Sequence, residues 1–372
     1  MIHLELVNRK MSGLSPYSKY FFINWIKKYK EGEVVLPIEK LSQESGLSVK
    51  LVRKSIKELL NIGLLHRERN AKLKGHPDFT YHAKNIPGYL KVKERFKSFE
   101  RNEKETAQSP KDKLLNSMLE IDALNNLSIP QKLLLIILWI KSTDQGIVDK
   151  IGAGQLADAI GCSKDTVKRH LKALTEKNLL VVICKGFTAK NLFGVKGSIY
   201  LLNPPSNYSY FISGLPLLSE KKQLILDDVR EIFILLKQQF PEDAELLNGL
   251  EADFNNNSVS SYFLYWFWQY LYSNFSPYFN GEPLKPYLRD SLENITPSNE
   301  KIIAKSLFSK SIFELWKSNT PILSELAKKI HGLVFETGIE INSQGKEEFF
   351  GTNQGKMSAL LPDGAVYFLE GQ

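Results

Sequence analysis

Apolar residues along this chain fall into two matching trains. Residues 41–65, LSQESGLSVKLVRKSIKELLNIGLL, are followed 115 positions later, without a gap, by residues 156–180, LADAIGCSKDTVKRHLKALTEKNLL. Leu41 pairs with Leu156, Val52 with Val167, Ile56 with Leu171, Leu59 with Leu174, and Leu64-Leu65 with Leu179-Leu180. Spacings of three and four predict helices with one apolar face. The polar positions repeat as well: Gly46 with Gly161, Ser48 with Ser163, Lys57 with Lys172. A Gly-x-Ser between two such helices predicts a tight turn and a fresh helix start, because Gly adopts a left-handed backbone easily and Ser caps a helix N-terminus.

The match extends outward. An amphipathic stretch over residues 16–29, with Tyr20, Phe21, Ile23 and Trp25 among its apolar positions, precedes the first copy, and residues 130–142 precede the second. At an offset of 114, Pro16 meets Pro130, Trp25 meets Trp139 and Gly32 meets Gly146, so one extra residue lies in the loop that follows. After each copy come two strand-like runs, at 64–69 and 78–83 around a polar turn at 70–77, and at 179–184 and 198–202 around a Gly-bounded loop at 185–197. Three helices closed by a hairpin, twice, predict two winged helix-turn-helix domains. The expected fold class is mainly α with small β wings (α+β). The expected domains are 1–83, a charged and partly helical linker at 84–124, a second head at 125–203, and a mostly helical C-terminal domain at 204–372 with a β-containing end. In that last domain, residues 219–239 and 298–332 read as helical, and residues 338–342 and 365–369 as strands.

Charge separates these parts. Residues 1–203 carry 35 Lys/Arg against 20 Asp/Glu, a balance of +15, whereas residues 204–372 carry 14 against 21, a balance of −7. The front half suits a polyanion and the back half does not. The N-terminus MIHLELVNRK lacks the basic-then-apolar order of a signal peptide, and the longest apolar run, residues 133–140, is far short of the ~20 residues that span a bilayer. Cys162 and Cys184 stand alone, with no spacing that suggests a disulfide framework or a zinc site. These features lead us to expect a cytoplasmic, nucleoid-associated protein with no membrane partner, no cofactor and no metal.

Duplex DNA is the expected partner. In the second helix of the first copy, Lys50, Arg53, Lys54 and Lys57 recur at i, i+3, i+4 and i+7, opposite a ridge of Val52, Ile56, Leu59 and Leu60. Lys164, Lys168, Arg169 and Lys172 do the same opposite Val167, Leu171 and Leu174. Near the helix starts, Val49, Lys50, Arg53, Lys164, Asp165 and Lys168 are candidates for base edges, since Arg or Lys can address guanine and Asp can accept from cytosine. For Asp165, attraction to the helix dipole is the simpler account. Lys54, Lys57, Arg169 and Lys172 are candidates for phosphates, as are Arg67, Arg69, Lys72 and Lys74 in the first wing and Lys185, Lys190 and Lys196 in the second.

The pattern L-x4-G-x-S-x3-V-x3-[IL]-x2-L-x4-L-L resembles the winged helix-turn-helix of bacterial regulators such as the GntR and MarR groups. Two heads in one chain are also similar to the tandem winged-helix replication initiators of plasmids. The resemblance implies sequence-specific DNA binding, as a transcription regulator in the first case and as an initiator on origin repeats in the second. A DNA-bound adaptor for a larger protein complex is a third expectation.

The C-terminal domain matches neither family. Residues 262–279, YFLYWFWQYLYSNFSPYF, hold eleven aromatics in eighteen positions. They read as a buried helix or as an aromatic surface for a homodimer or protein partner. No catalytic constellation emerges. Residues 351–358, GTNQGKMS, echo a phosphate loop but have three residues between the glycines and Met where Ser or Thr would hold a metal. His170 has no base or nucleophile beside it, and Glu347, Glu348 and Asp363 form only a faint nuclease pattern. The chain is expected not to be an enzyme.

Overall fold

The computed structural model describes residues 6–7, 9–29, 34–69, 79–84, 110–120, 124–143, 146–149, 151–203, 219–279, 321–344, 356–360 and 366–370. The chain is mainly helical with small sheets, and it divides into two compact units. Unit 1 comprises Met1–Val181 with Leu202–Tyr210; unit 2 comprises Val182–Leu201 with Phe211–Gln372.

In unit 1 the first repeat forms α1 (Pro16–Tyr29), α2 (Ile38–Ser45), α3 (Val49–Asn61), β1 (Leu65–Arg69) and β2 (Phe79–Ala83). Helices α1 and α3 cross at two small buried residues, where the Ser18 hydroxyl donates to the Ser55 hydroxyl at 3.1 Å. Trp25 of α1 is buried, edge-on to Tyr29 and Tyr81. Strands β1 and β2 are antiparallel, with Leu65 opposite Ala83 and Arg69 opposite Phe79, and Val34 bridges to Tyr81 through two main-chain bonds of 3.0 and 2.9 Å.

The second repeat forms α5 (Ile129–Lys141), β3 (Ile147–Val148), α6 (Ala153–Ile160), α7 (Lys164–Glu176), β4 (Leu180–Cys184) and β7 (Ile199–Leu202), preceded by α4 (Pro110–Met118). Its sheet runs in the order β3-β7-β4. Val148 of β3 is the 114-offset partner of Val34. Helix α5 starts with Pro130 in its first turn, and Gln131 reaches back to accept the Ser128 N–H at 2.9 Å. Leu133 through Trp139 are all fully buried, because α1, α4, α6 and α7 surround this helix. Each such aliphatic residue contributes roughly 1.5–3 kcal/mol.

Within the sequence-expected loop at 185–197, unit 2 has a further antiparallel pair, β5 (Phe187–Ala189) and β6 (Gly194–Lys196). Helices α8 (Ser219–Gln239), α9 (Ala244–Phe254), α10 (Asn257–Phe279) and α11 (Pro321–Gln344) follow, then the hairpin β8 (Lys356–Leu360) and β9 (Val366–Glu370). Phe233, Phe254, Phe263 and Phe267 stack in sequence through the helical core. Residues 263–265, 267, 268, 270 and 271 of the aromatic run are buried, so this part of α10 is core. Residues 338–342, expected as a strand, lie in α11 instead. An Ile-Glu-Ile alternation is too short to stop a helix already propagated for about four turns and packed on α8 and α10. Residues 298–320, 347, 348 and 363 lie outside the described residues. Lys356 begins a strand, where a phosphate loop would need a helix N-terminus.

Candidate nucleic-acid interface

Helices α3 and α7 are launched in the same way. Gly46 closes α2 in a left-handed conformation with φ +66°, and Gly161 closes α6 at +84°. Ser48 then accepts the Leu51 N–H at 3.4 Å, and Ser163 accepts the Thr166 N–H at 3.2 Å. The inward ridges are Val52, Ser55, Ile56 and Leu59 in α3, and Val167, Leu171 and Leu174 in α7. Leu60, expected on the ridge, is only half-buried, and the small Ser55 takes the place in the core where α1 crosses.

The opposite faces are open. Lys50, Arg53, Lys54 and Lys57 on α3 are exposed, as are Lys164, Asp165, Lys168, Arg169 and Lys172 on α7; Val49 is half-buried. Lys54 lies 3.7 Å from Glu58, Lys168 3.7 Å from Asp165, and Lys172 3.8 Å from Glu176. The Lys168–Asp165 and Lys172–Glu176 pairs are exposed on both sides, so they hold their cations weakly and leave them able to exchange for another anion. Glu58 has a second task. Burial alone would raise its carboxyl, but the Ser15 main-chain bond at 2.9 Å, the Ser18 and Ser15 hydroxyls and Lys54 together bring it below its ordinary value. Arg169 donates to the Thr166 hydroxyl at 3.1 Å, which aims its guanidinium along the helix; Thr166 was not singled out from sequence because a lone Thr carries no pattern. His170 is half-buried, and burial followed by Arg169 lowers its pKa.

The hairpins differ between the repeats. Arg67 and Arg69 are exposed on β1, with the Arg67 guanidinium 4.4 Å from the Phe79 ring centre; Lys72 and Lys74 fall outside the described residues. In unit 2, Lys185 and Lys190 are exposed, but Lys196 is half-buried with Nζ 5.6 Å from the centre of the Tyr262 ring, and burial lowers its pKa. The same ring contacts Phe187 and Phe193 edge-on. The β5–β6 turn is held by α9: Asp253 accepts the Asn191 and Leu192 N–H groups, and the Asn191 side chain donates to the Gly249 carbonyl at 3.2 Å. Sequence offered no sign of this, since Asp253 sits in an ordinary acidic helix.

Among the described residues, no cluster of three or more His, Cys, Asp or Glu is placed to hold a metal ion, and no helix is long and apolar enough to cross a membrane. Both thiols are free; Cys162 is half-buried, and burial pushes Cys184 up to about 12. No protein-family model matches the chain, and neither does any curated protein.

Proposed function

We propose that the chain is a sequence-specific duplex-DNA-binding protein, a transcription regulator with two winged helix-turn-helix heads in which α3 and α7 are the recognition helices. The observation that carries this reading is the duplication of one arrangement. Each helix has a left-handed Gly turn before it, a Ser cap at its start, an apolar ridge inward and four exposed cations outward. One basic helix face is ordinary; two at equivalent positions fit a major groove flanked by phosphates. Lys50, Arg53, Lys164 and Lys168 at the helix starts are assigned to base edges, and Lys54, Lys57, Arg169 and Lys172 to phosphates. Arg67 and Arg69 add backbone contacts from the first wing. Unit 2 supplies the surface for a homodimer or protein partner, in keeping with the acidic balance of residues 204–372.

Selection from a random duplex library followed by footprinting tests this. The expected result is a footprint covering two half-sites, with log affinity falling against log salt at a slope of about −5, as six cations on phosphates (Lys54, Lys57, Arg169, Lys172, Arg67 and Arg69) would give. Failure to retain any duplex at low salt removes the reading.

A further inference from the structure

Lys19 carries its ammonium into the interior of unit 1. It is 1% exposed, and its Nζ donates to the carbonyls of Val7 and Arg9, each at 2.6 Å, and to that of Ala159. The first two acceptors belong to the N-terminal segment, and the third lies in the last turn of α6, just before the turn into α7. Two further contacts surround this bond. Lys10 pairs with Asp158 at 2.8 Å, and a Cβ placed on Gly161 would stand 2.6 Å from the Leu14 carbonyl oxygen. Gly161 therefore serves twice: its left-handed turn launches α7, and its missing side chain lets the first repeat's backbone approach.

The same segment is fastened to α3. The Ser15 N–H donates to Glu58 at 2.9 Å, and Ser18 donates to Ser55 at 3.1 Å. Lower down, Lys132 of α5 lies 5.7 Å from the centre of the Tyr20 ring, and Lys27 of α1 pairs with Glu120 at 2.5 Å. Val7 and residues 9–19 are thus bonded to α3 on one side and to the α6–α7 turn on the other. Two heads joined only by a tether would tolerate varied distances between half-sites, because loop entropy changes slowly with length. A bonded pair does not have that freedom. Each inserted base pair would displace one half-site by about 3.4 Å and rotate it by about 35°.

We propose that Val7 and residues 9–19 form a latch which holds α3 and α7 at one fixed separation, so that the two repeats read a single composite DNA site with one permitted half-site spacing. This rests on the DNA-binding reading above. Lys19 and Gly161 are positioning residues in it and need not touch DNA.

The test uses the full chain and a duplex series in which the selected site gains one to ten base pairs between its halves. It is run on the wild type, on Lys19→Met, and on Asp158→Lys, whose exposed position spares the fold if Lys19→Met does not fold. In parallel, spin labels at Asn61→Cys and Glu176→Cys, in a Cys162→Ser background, report the α3–α7 distance distribution without DNA. The expected result is at least a tenfold preference for one spacing and a narrow distribution in the wild type. In the latch variants the preference should fall below threefold and the distribution broaden, with affinity for an isolated half-site unchanged within twofold. Equal wild-type affinity across the spacings, or a broad wild-type distribution, overturns the latch. Absence of binding to every duplex, with a narrow distribution, overturns the DNA reading and the composite site with it while leaving the paired heads in place.

Discussion

The Oδ2 atom of Asp253 accepts the main-chain N–H of Asn191 at 2.6 Å, and it accepts that of Leu192 at 3.1 Å as well. One carboxylate at the end of α9 thereby holds the turn of the β5–β6 hairpin, while Phe187, Phe193 and Tyr262 close the apolar side. This hairpin lies in the segment where a winged helix would extend its second wing.

Asp253→Ala should therefore loosen unit 2 at the hairpin. Two charge-assisted bonds are lost, and two main-chain donors are left without the partner they had, which corresponds to about 2–3 kcal/mol. Urea denaturation should show the loss. Amide hydrogen exchange should place it at Asn191 and Leu192, and unchanged protection there would refute the assignment.

On the proposed DNA reading, the stripe cations of the two repeats and the hairpin cation Lys196 should not be equivalent. Reversing Arg53 and Lys54 to Glu, or Lys168 and Arg169 to Glu, should weaken duplex binding about 100-fold at moderate salt, because all four are exposed on the outer stripes. Lys196→Glu should cost less than about threefold, since its ammonium already lies over the Tyr262 ring within unit 2. A gel-shift series decides it; equal losses for all three would mean that the hairpin lies on DNA after all.

The local devices were legible in sequence because each is encoded by adjacent residues. Gly46 and Ser48 announce a turn and a cap wherever they occur between amphipathic stretches, and α1, α3 and α8 follow their apolar spacing. What depends on distant partners was not legible. Lys19 reads as one more surface cation until the Val7, Arg9 and Ala159 carbonyls converge on it. Asp253 reads as a helix-end acid until the hairpin turn arrives. Residues 338–342 alternate like a strand, yet packing of the preceding turns carries α11 through them. The exposed cationic stripes were visible from periodicity alone, whereas the bonding of one repeat to the other was not.

Burial brings the Lys19 ammonium down to about 7 from an ordinary 10.5. Between those values the unfolded chain holds a proton that the folded chain releases, so this residue makes stability rise with pH from about 7 to 10.5. The full effect is on the order of a few kcal/mol. Lys19→Met keeps most of the stem and removes the titration. The difference in unfolding free energy between wild type and variant should therefore change across that window and be flat below pH 6; a difference independent of pH throughout would show that the ammonium is not desolvated.

His331 should give unit 2 its own sensitivity, at the opposite end of the scale. It lies on α11, 1% exposed against the Tyr270 ring of α10, and its Nδ1 has no hydrogen-bond partner among the described residues. Burial lowers its pKa to about 4 from 6.5, so the imidazole is folded in neutral form. As pH falls from 6.5 towards 4 the unfolded chain takes up a proton that the native one refuses, and stability drops; below 4 the native imidazole is protonated too and this contribution is spent. A shift of this size corresponds to about 3 kcal/mol at most. His331→Phe retains an aromatic filling without the ring nitrogens, and Phe beside Tyr270 suits an edge-on contact. Thermal unfolding of the two proteins at pH 7 and pH 4.5 should show a larger acid-induced fall in Tm for the wild type. Equal falls would mean that water or a neighbouring group reaches Nδ1 and that the α10–α11 seam is open at this point.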